Sequence, residues 1–169
     1  KALTKAQNQG DDCSDPIIID FAIDLPFFDN NTTYGRGNSY ENTCMGGYDW
    51  NDDIHYELTV PYPMWIEVTW DHNNIPGDFF ALAIKDQCGD SGNCLHIVKP
   101  EIIEPVNFIY EFTSAGTYYI MIDQYGIPGF TLEIKEWTLP DTIVEFPYFE
   151  DFETCSFPAT MTPFSGWAA

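Results

Sequence analysis

Apolar and polar side chains alternate along much of this chain with a period of two. Ile54, Tyr56, Leu58 and Val60 interleave with His55, Glu57 and Thr59, and Met64, Ile66, Val68 and Trp70 interleave with Trp65, Glu67 and Thr69. Such alternation marks a strand with one face on a core and the other toward solvent. The pattern recurs in Phe108, Tyr110 and Phe112, in Tyr118, Ile120 and Ile122, and in Phe130, Leu132 and Ile134. Ile17, Ile18, Ile19, Phe21 and Ile23 form a β-prone run, and residues 26–33, 79–84 and 95–98 supply further short strands. Turn residues punctuate them: Pro61-Tyr62-Pro63, the stretch Asp71 to Asp78, Ser114-Ala115-Gly116 and Ile127-Pro128-Gly129. The strand from Met64 reads as the antiparallel partner of the one before it. No stretch keeps a helical period. About nine short strands within roughly 130 residues predict an all-β antiparallel β-sandwich with little helix, a closed barrel being the alternative.

Composition sharpens that picture. A chain of 169 residues with 44% apolar and 17% aromatic side chains can bury one sizeable core, with a remainder. Twenty-seven acidic against six basic side chains give a net charge of −21. That excludes a binder of nucleic-acid backbones, which needs clustered Lys and Arg, and disfavours anionic membrane surfaces. Bound divalent cations would relieve the self-repulsion. No apolar run approaches the roughly 20 residues of a membrane span, so no membrane insertion is expected. The polar stretch Lys1 to Asp12 reads as the start of a mature chain after signal cleavage.

Five cysteines are present: Cys13, Cys44, Cys88, Cys94 and Cys155. Cys88 and Cys94 bracket a Gly-Asp-Ser-Gly-Asn turn that a disulfide would staple, and Cys13 and Cys44 each precede a strand. The expected pairs are therefore Cys88–Cys94 and Cys13–Cys44, with Cys155 left over. Disulfides imply an oxidising place, extracellular or at the cell surface.

The loop before Ile54 holds Asp49, Asn51, Asp52 and Asp53, four oxygen-bearing side chains at the mouth of a rigid strand. That composition suits calcium, which takes oxygen ligands; a solvated turn is the plainer alternative. Catalysis is not expected. The three histidines, His55, His72 and His96, read as ordinary surface residues, and neither a Gly-x-Ser-x-Gly elbow nor a His-Glu-x-x-His helix occurs.

The order Asp11-Asp12-Cys13-Ser14-Asp15-Pro16-Ile17-Ile18-Ile19, then Asn42-Thr43-Cys44, then Tyr48 to Val60, resembles the bacterial pre-peptidase C-terminal domain. Ala115 to Asp123 and Gly129 to Ile134 fit its ending. The resemblance covers about residues 11–136. It implies a secreted, jelly-roll-like sandwich attached to proteases and large surface proteins, and it places Asp11 and Asp12 beside Asp49, Asp52 and Asp53 as calcium ligands. The expected organisation is a polar lead-in at 1–10, a sandwich at 11–138, and a linker with an extended tail or incomplete second β domain at 139–169. That tail resembles the first strand of a cleaved-adhesin or MAM-like surface domain.

Phe146, Tyr148, Phe149, Phe152 and Cys155 are the expected partner contacts, made with other copies of the chain or with further domains of the same protein. The functional expectation is a non-enzymatic, calcium-stabilised extracellular structural or adhesive unit, possible as a filament subunit joined by strand donation. The alternative is an accessory module that binds polysaccharide or protein through exposed aromatics such as Tyr62, Trp65 and Tyr125.

Overall fold

The computed structural model describes residues 8–73, 79–100, 104–126 and 129–138. The chain divides after Thr138 into two units, and the second, Leu139–Ala169, lies outside the described residues. Nine strands form in order: β1 (Ile17–Asp20), β2 (Phe27–Asn31), β3 (Asp52–Val60), β4 (Met64–Asp71), β5 (Phe80–Lys85), β6 (Cys94–Val98), β7 (Val106–Phe112), β8 (Gly116–Gln124) and β9 (Phe130–Glu136). They make an all-β sandwich of a five-stranded sheet, β1-β3-β8-β5-β6, and a four-stranded sheet, β2-β9-β4-β7. All pairings are antiparallel except β1 with β3, which run parallel.

Alternation puts one face of each sheet into a common core. Ile54, Tyr56, Leu58, Leu82, Ile84, Ile120 and Ile122 come from the larger sheet, and Ile66, Val68, Trp70, Leu132 and Ile134 from the smaller. β3 and β4 lie in different sheets, so the expected hairpin between them does not form. Pro61 and Pro63 lack the amide hydrogens a tight hairpin would use, and the chain crosses from one sheet to the other there.

The outer face of the larger sheet is covered as well. β5 is buried along its whole length, including the outward-facing Ala81, Ala83 and Lys85. The cover is the segment 32–51 between β2 and β3, whose Met45 packs with Ala81, Ala83 and Met121 in a second small core. Two disulfides fasten this side, and their pairing differs from the expected one: Cys13 joins Cys88, and Cys44 joins Cys94. The β5–β6 turn needs no staple. Asp86 accepts from the Asn93 amide at 2.6 Å and from Asn93 Nδ2 at 2.9 Å, and Lys85 donates to the Gly89 carbonyl. Both cysteines of the turn are then available to bind the lead-in and the covering segment to the sheet.

Candidate functional site

Beneath the covering segment lies a buried polar cluster. Asp53 on β3 stands directly opposite Asp123 on β8. Asp53 Oδ2 accepts from the amides of Ser39 (2.9 Å) and Tyr40 (3.1 Å), while Asp123 accepts from Asn51 N (2.9 Å) and Nδ2 (2.8 Å). Burial, and then the charge of Asp123, pushes the Asp53 carboxyl up to about 8; burial also raises Asp123. Two facing acids in a dry site cannot both ionise cheaply, so the pair holds a proton at neutral pH.

His55, two residues along the same face, is buried rather than exposed, contrary to its sequence reading; the covering segment is the reason. Burial, and then the nearby Lys85 charge, lowers it to about 4. Its Nδ1 lies 4.0 Å from Cys88 Sγ, its Nε2 lies 4.0 Å from Asp53 Oδ2, and Tyr40 meets its ring edge-on. His72 is also buried, and His96 packs on Phe108 and Tyr110. Cys88, His55 and Asp53 thus outline a nucleophile–base–acid set. The sulfur, however, is bonded to Cys13, the spacings exceed hydrogen-bond length, and the acid carries a proton.

The six expected calcium ligands are divided among separate partners. Asp11 pairs with Arg36 Nη1 at 2.9 Å, and the same guanidinium donates to Gln9 O, Asn31 Oδ1 and Thr32 O. Asp12 accepts from the Ser14 amide and hydroxyl, and Asp52 accepts from the Gly35 and Gly37 amides. Asn51 is committed to Asp123. Asp49 Oδ2 takes the Thr43 amide and hydroxyl. Two buried oxygens in this region, Asn38 Oδ1 and Asp49 Oδ1, have no hydrogen-bond partner, and Asp53 Oδ1 has none beyond the proton it shares with Asp123. Among the described residues, the group of three metal-capable side chains whose ligand atoms converge is Cys13, His55 and Cys88, and its sulfurs are bonded to each other.

A second feature sits at the sandwich end where β3 begins and β8 finishes. Two clefts, of about 310 and 120 Å³, share Asn51 as a wall. Tyr34, Asp52, Gln124 and Tyr125 line the larger; Gly47, Trp50 and Phe79 line the smaller. Of the seven exposed aromatic side chains among the described residues, four stand here: Tyr34, Trp50, Phe79 and Tyr125. Of the aromatics expected from sequence, Tyr125 therefore lines a cleft, Tyr62 is exposed at the far end of β3, and Trp65 leans on Trp137. Asp123, Arg36, Lys85, Trp50 and Phe79 were not among the expected site residues. Trp50, a large aromatic inside a run of Asp and Asn, was the one signal available. Phe146, Tyr148, Phe149, Phe152 and Cys155 lie outside the described residues.

No protein-family model matches this sequence, and no curated protein does. Among solved structures, the chain is similar to the pre-peptidase C-terminal domain of a collagenase from Bacillus anthracis. The likeness covers 80% of this chain and 100% of that one, at 10% identity and a TM-score of 0.43. It is also similar to a ruminal GH26 endo-β-1,4-mannanase, over 69% of this chain and 27% of that one, at 14% identity and a TM-score of 0.39. The adhesin-like continuation expected beyond residue 138 falls on undescribed residues.

Proposed function

We propose that this chain carries a non-catalytic, extracellular binding module whose ligand sits in the paired clefts around Asn51. The carrying observation is a contrast between two regions. The titratable groups Asp53, His55, Lys85 and Asp123 are sealed beneath residues 32–51, whereas four large aromatic rings stand open around the clefts. Exposed aromatic side chains gathered at one place, unlike singly scattered ones, mark an interaction site or ligand groove. A cleft of about 310 Å³ also falls in the size range of small-ligand sites. This reading favours the accessory module over the filament subunit, whose support rests on the tail. Two disulfides that tie distant segments together support an oxidising compartment.

Calcium is retained as a stabiliser, not as part of binding. Asp49 and Asp53, with Asn38, would hold it: Asn38 Oδ1 and Asp49 Oδ1 are buried without partners, and the ion would replace the proton that Asp53 shares with Asp123. The ion would supply charge compensation. Asp11, Asp12, Asn51 and Asp52 are left out of the proposed set, being already engaged.

The binding reading is tested by nuclear magnetic resonance on the isotope-labelled chain. Neutral oligosaccharides, cationic peptides and anionic peptides are titrated in turn. Saturable shifts clustered at Trp50, Asn51 and Tyr125 are expected with one of the three classes. No clustered shifts with any class would contradict the reading.

A further inference from the structure

We infer that the clefts around Asn51 take a neutral oligosaccharide, with successive sugar rings seated on successive aromatic pairs. This rests on the binding reading above and names the chemical class of the ligand. The polar groups carry the first part of the inference. Asn51 Nδ2 donates to Asp123 Oδ1 (2.8 Å) and Phe79 O (3.3 Å), so both amide hydrogens point at protein acceptors and the side chain has its carbonyl oxygen left to offer. Asp52 is an acceptor too, its carboxylate already steadied by the Gly35 and Gly37 amides at 2.6 and 3.2 Å. These two acceptors suit a ligand rich in hydroxyl donors.

The aromatics carry the second part. Tyr34 (58% exposed) and Tyr125 (59%) flank the larger cleft, and Trp50 (71%) and Phe79 (59%) flank the smaller. Phe79 is braced by the Tyr48 ring at 5.7 Å, with the Lys99 ammonium over the other aromatic of that pair. Its carbonyl also receives the Tyr125 amide at 3.3 Å, so the two clefts share one rigid backbone junction. Sugar rings present C–H faces to aromatic rings and hydroxyls at their edges, which matches a site of stacking surfaces with acceptors between them.

Charge decides between ligand classes. A net charge of −21 together with Asp52 turns away anionic ligands. A cationic side chain is best held by aromatics enclosing one point. Here the rings are divided into two pairs along adjoining clefts, an arrangement suited to a repeating chain.

The test is native affinity electrophoresis of the intact chain through gels containing soluble β-glucan, xylan, galactomannan or α-glucan. Retardation by at least one polysaccharide is expected, unchanged in high salt. Trp50→Ala and Tyr125→Ala should each weaken it roughly thirtyfold, the threshold of a single binding hot spot. Both side chains are exposed, so the melting temperature should not move, and Tyr62→Ala at the far end of β3 should leave retardation intact. Retardation by none of the four overturns the saccharide assignment. So does binding of polylysine that fades with salt and is lost in the same two variants, an outcome that keeps the binding reading and replaces its ligand.

Discussion

At the scale of single residues, the chain neutralises its carboxylates one at a time. Arg36 sits among four oxygen acceptors and cancels Asp11, the Gly35 and Gly37 amides hold Asp52, and the Asp53–Asp123 pair keeps a proton. That proton sets a pH dependence. Burial, and then the facing Asp123, pushes Asp53 from 3.8 up to about 8, so the pair's contribution to stability is full below about 4 and is lost as pH rises through 8. His55 acts in the opposite sense. Its native value of about 4 against 6.5 means its contribution is lost as pH falls from 6.5 toward 4. Above 6.5 the Asp53 effect stands clear of His55. With a chelator present, stability should drop by something on the order of 1 kcal/mol between pH 6.5 and 8 in urea melts, and Asp53→Asn should flatten that slope. Calcium at Asp49 and Asp53 would displace the proton, so added calcium should raise the melting temperature more at pH 8 than at 6.5. Melting indifferent to calcium at both pH values counts against the ion. Metal-free stability that climbs with pH counts against the proton-sharing pair.

At the scale of elements, the strands were legible and their cover was not. Alternation in Ile54–Val60, Met64–Trp70 and Phe130–Ile134 reports burial of one face directly, and those strands lie where the pattern places them. Alternation also reads the second face as solvent, and for the first half of β3, at Asp53 and His55, that is untrue. Segment 32–51 has little apolar patterning beyond Met45 and Tyr48, yet it buries His55, Asp53 and Lys85. Nothing in its local sequence reveals that it folds back over the sheet. The disulfides followed from that hidden contact. Spacing along the chain favours Cys88 with Cys94, whereas the native bonds span 75 and 50 residues, joining segments that only tertiary structure brings together. The cover should therefore depend on its bond to β6. Replacing Cys44 and Cys94 by serine should cost about 2–4 kcal/mol in denaturant melts. It should also let water reach His55, moving its titration from about 4 toward 6.5 in an imidazole nuclear magnetic resonance titration. A His55 that still titrates near 4 in the variant would show that packing alone holds the cover.

At the scale of the whole molecule, one end of the sandwich is built differently from the rest. There the start of β3, the end of β8 and the start of β5 bring together Asn51, Asp52, Gln124, Tyr125 and Phe79. Sequence reading reached Asn51, Asp52 and Tyr125 for separate reasons, two as metal ligands and one as an exposed ring. It had no means of joining them, because residues 51 and 125 become neighbours only through the β3–β8 pairing. The same topology explains why acidic residues that looked like one cation site belong to two regions. Asp49 and Asp53 face the sealed cluster, and Asp52 opens onto the cleft. The central claim is that this end, rather than the buried Asp53–His55 cluster, is where the molecule meets its ligand. Hydroxyl-radical footprinting, with and without the polysaccharide that retards the chain most, tests it most directly. The account expects Trp50, Phe79 and Tyr125 to be protected while Tyr62 and Trp65 oxidise as before; protection at Tyr62 or Trp65 with Trp50 and Tyr125 unchanged would contradict it.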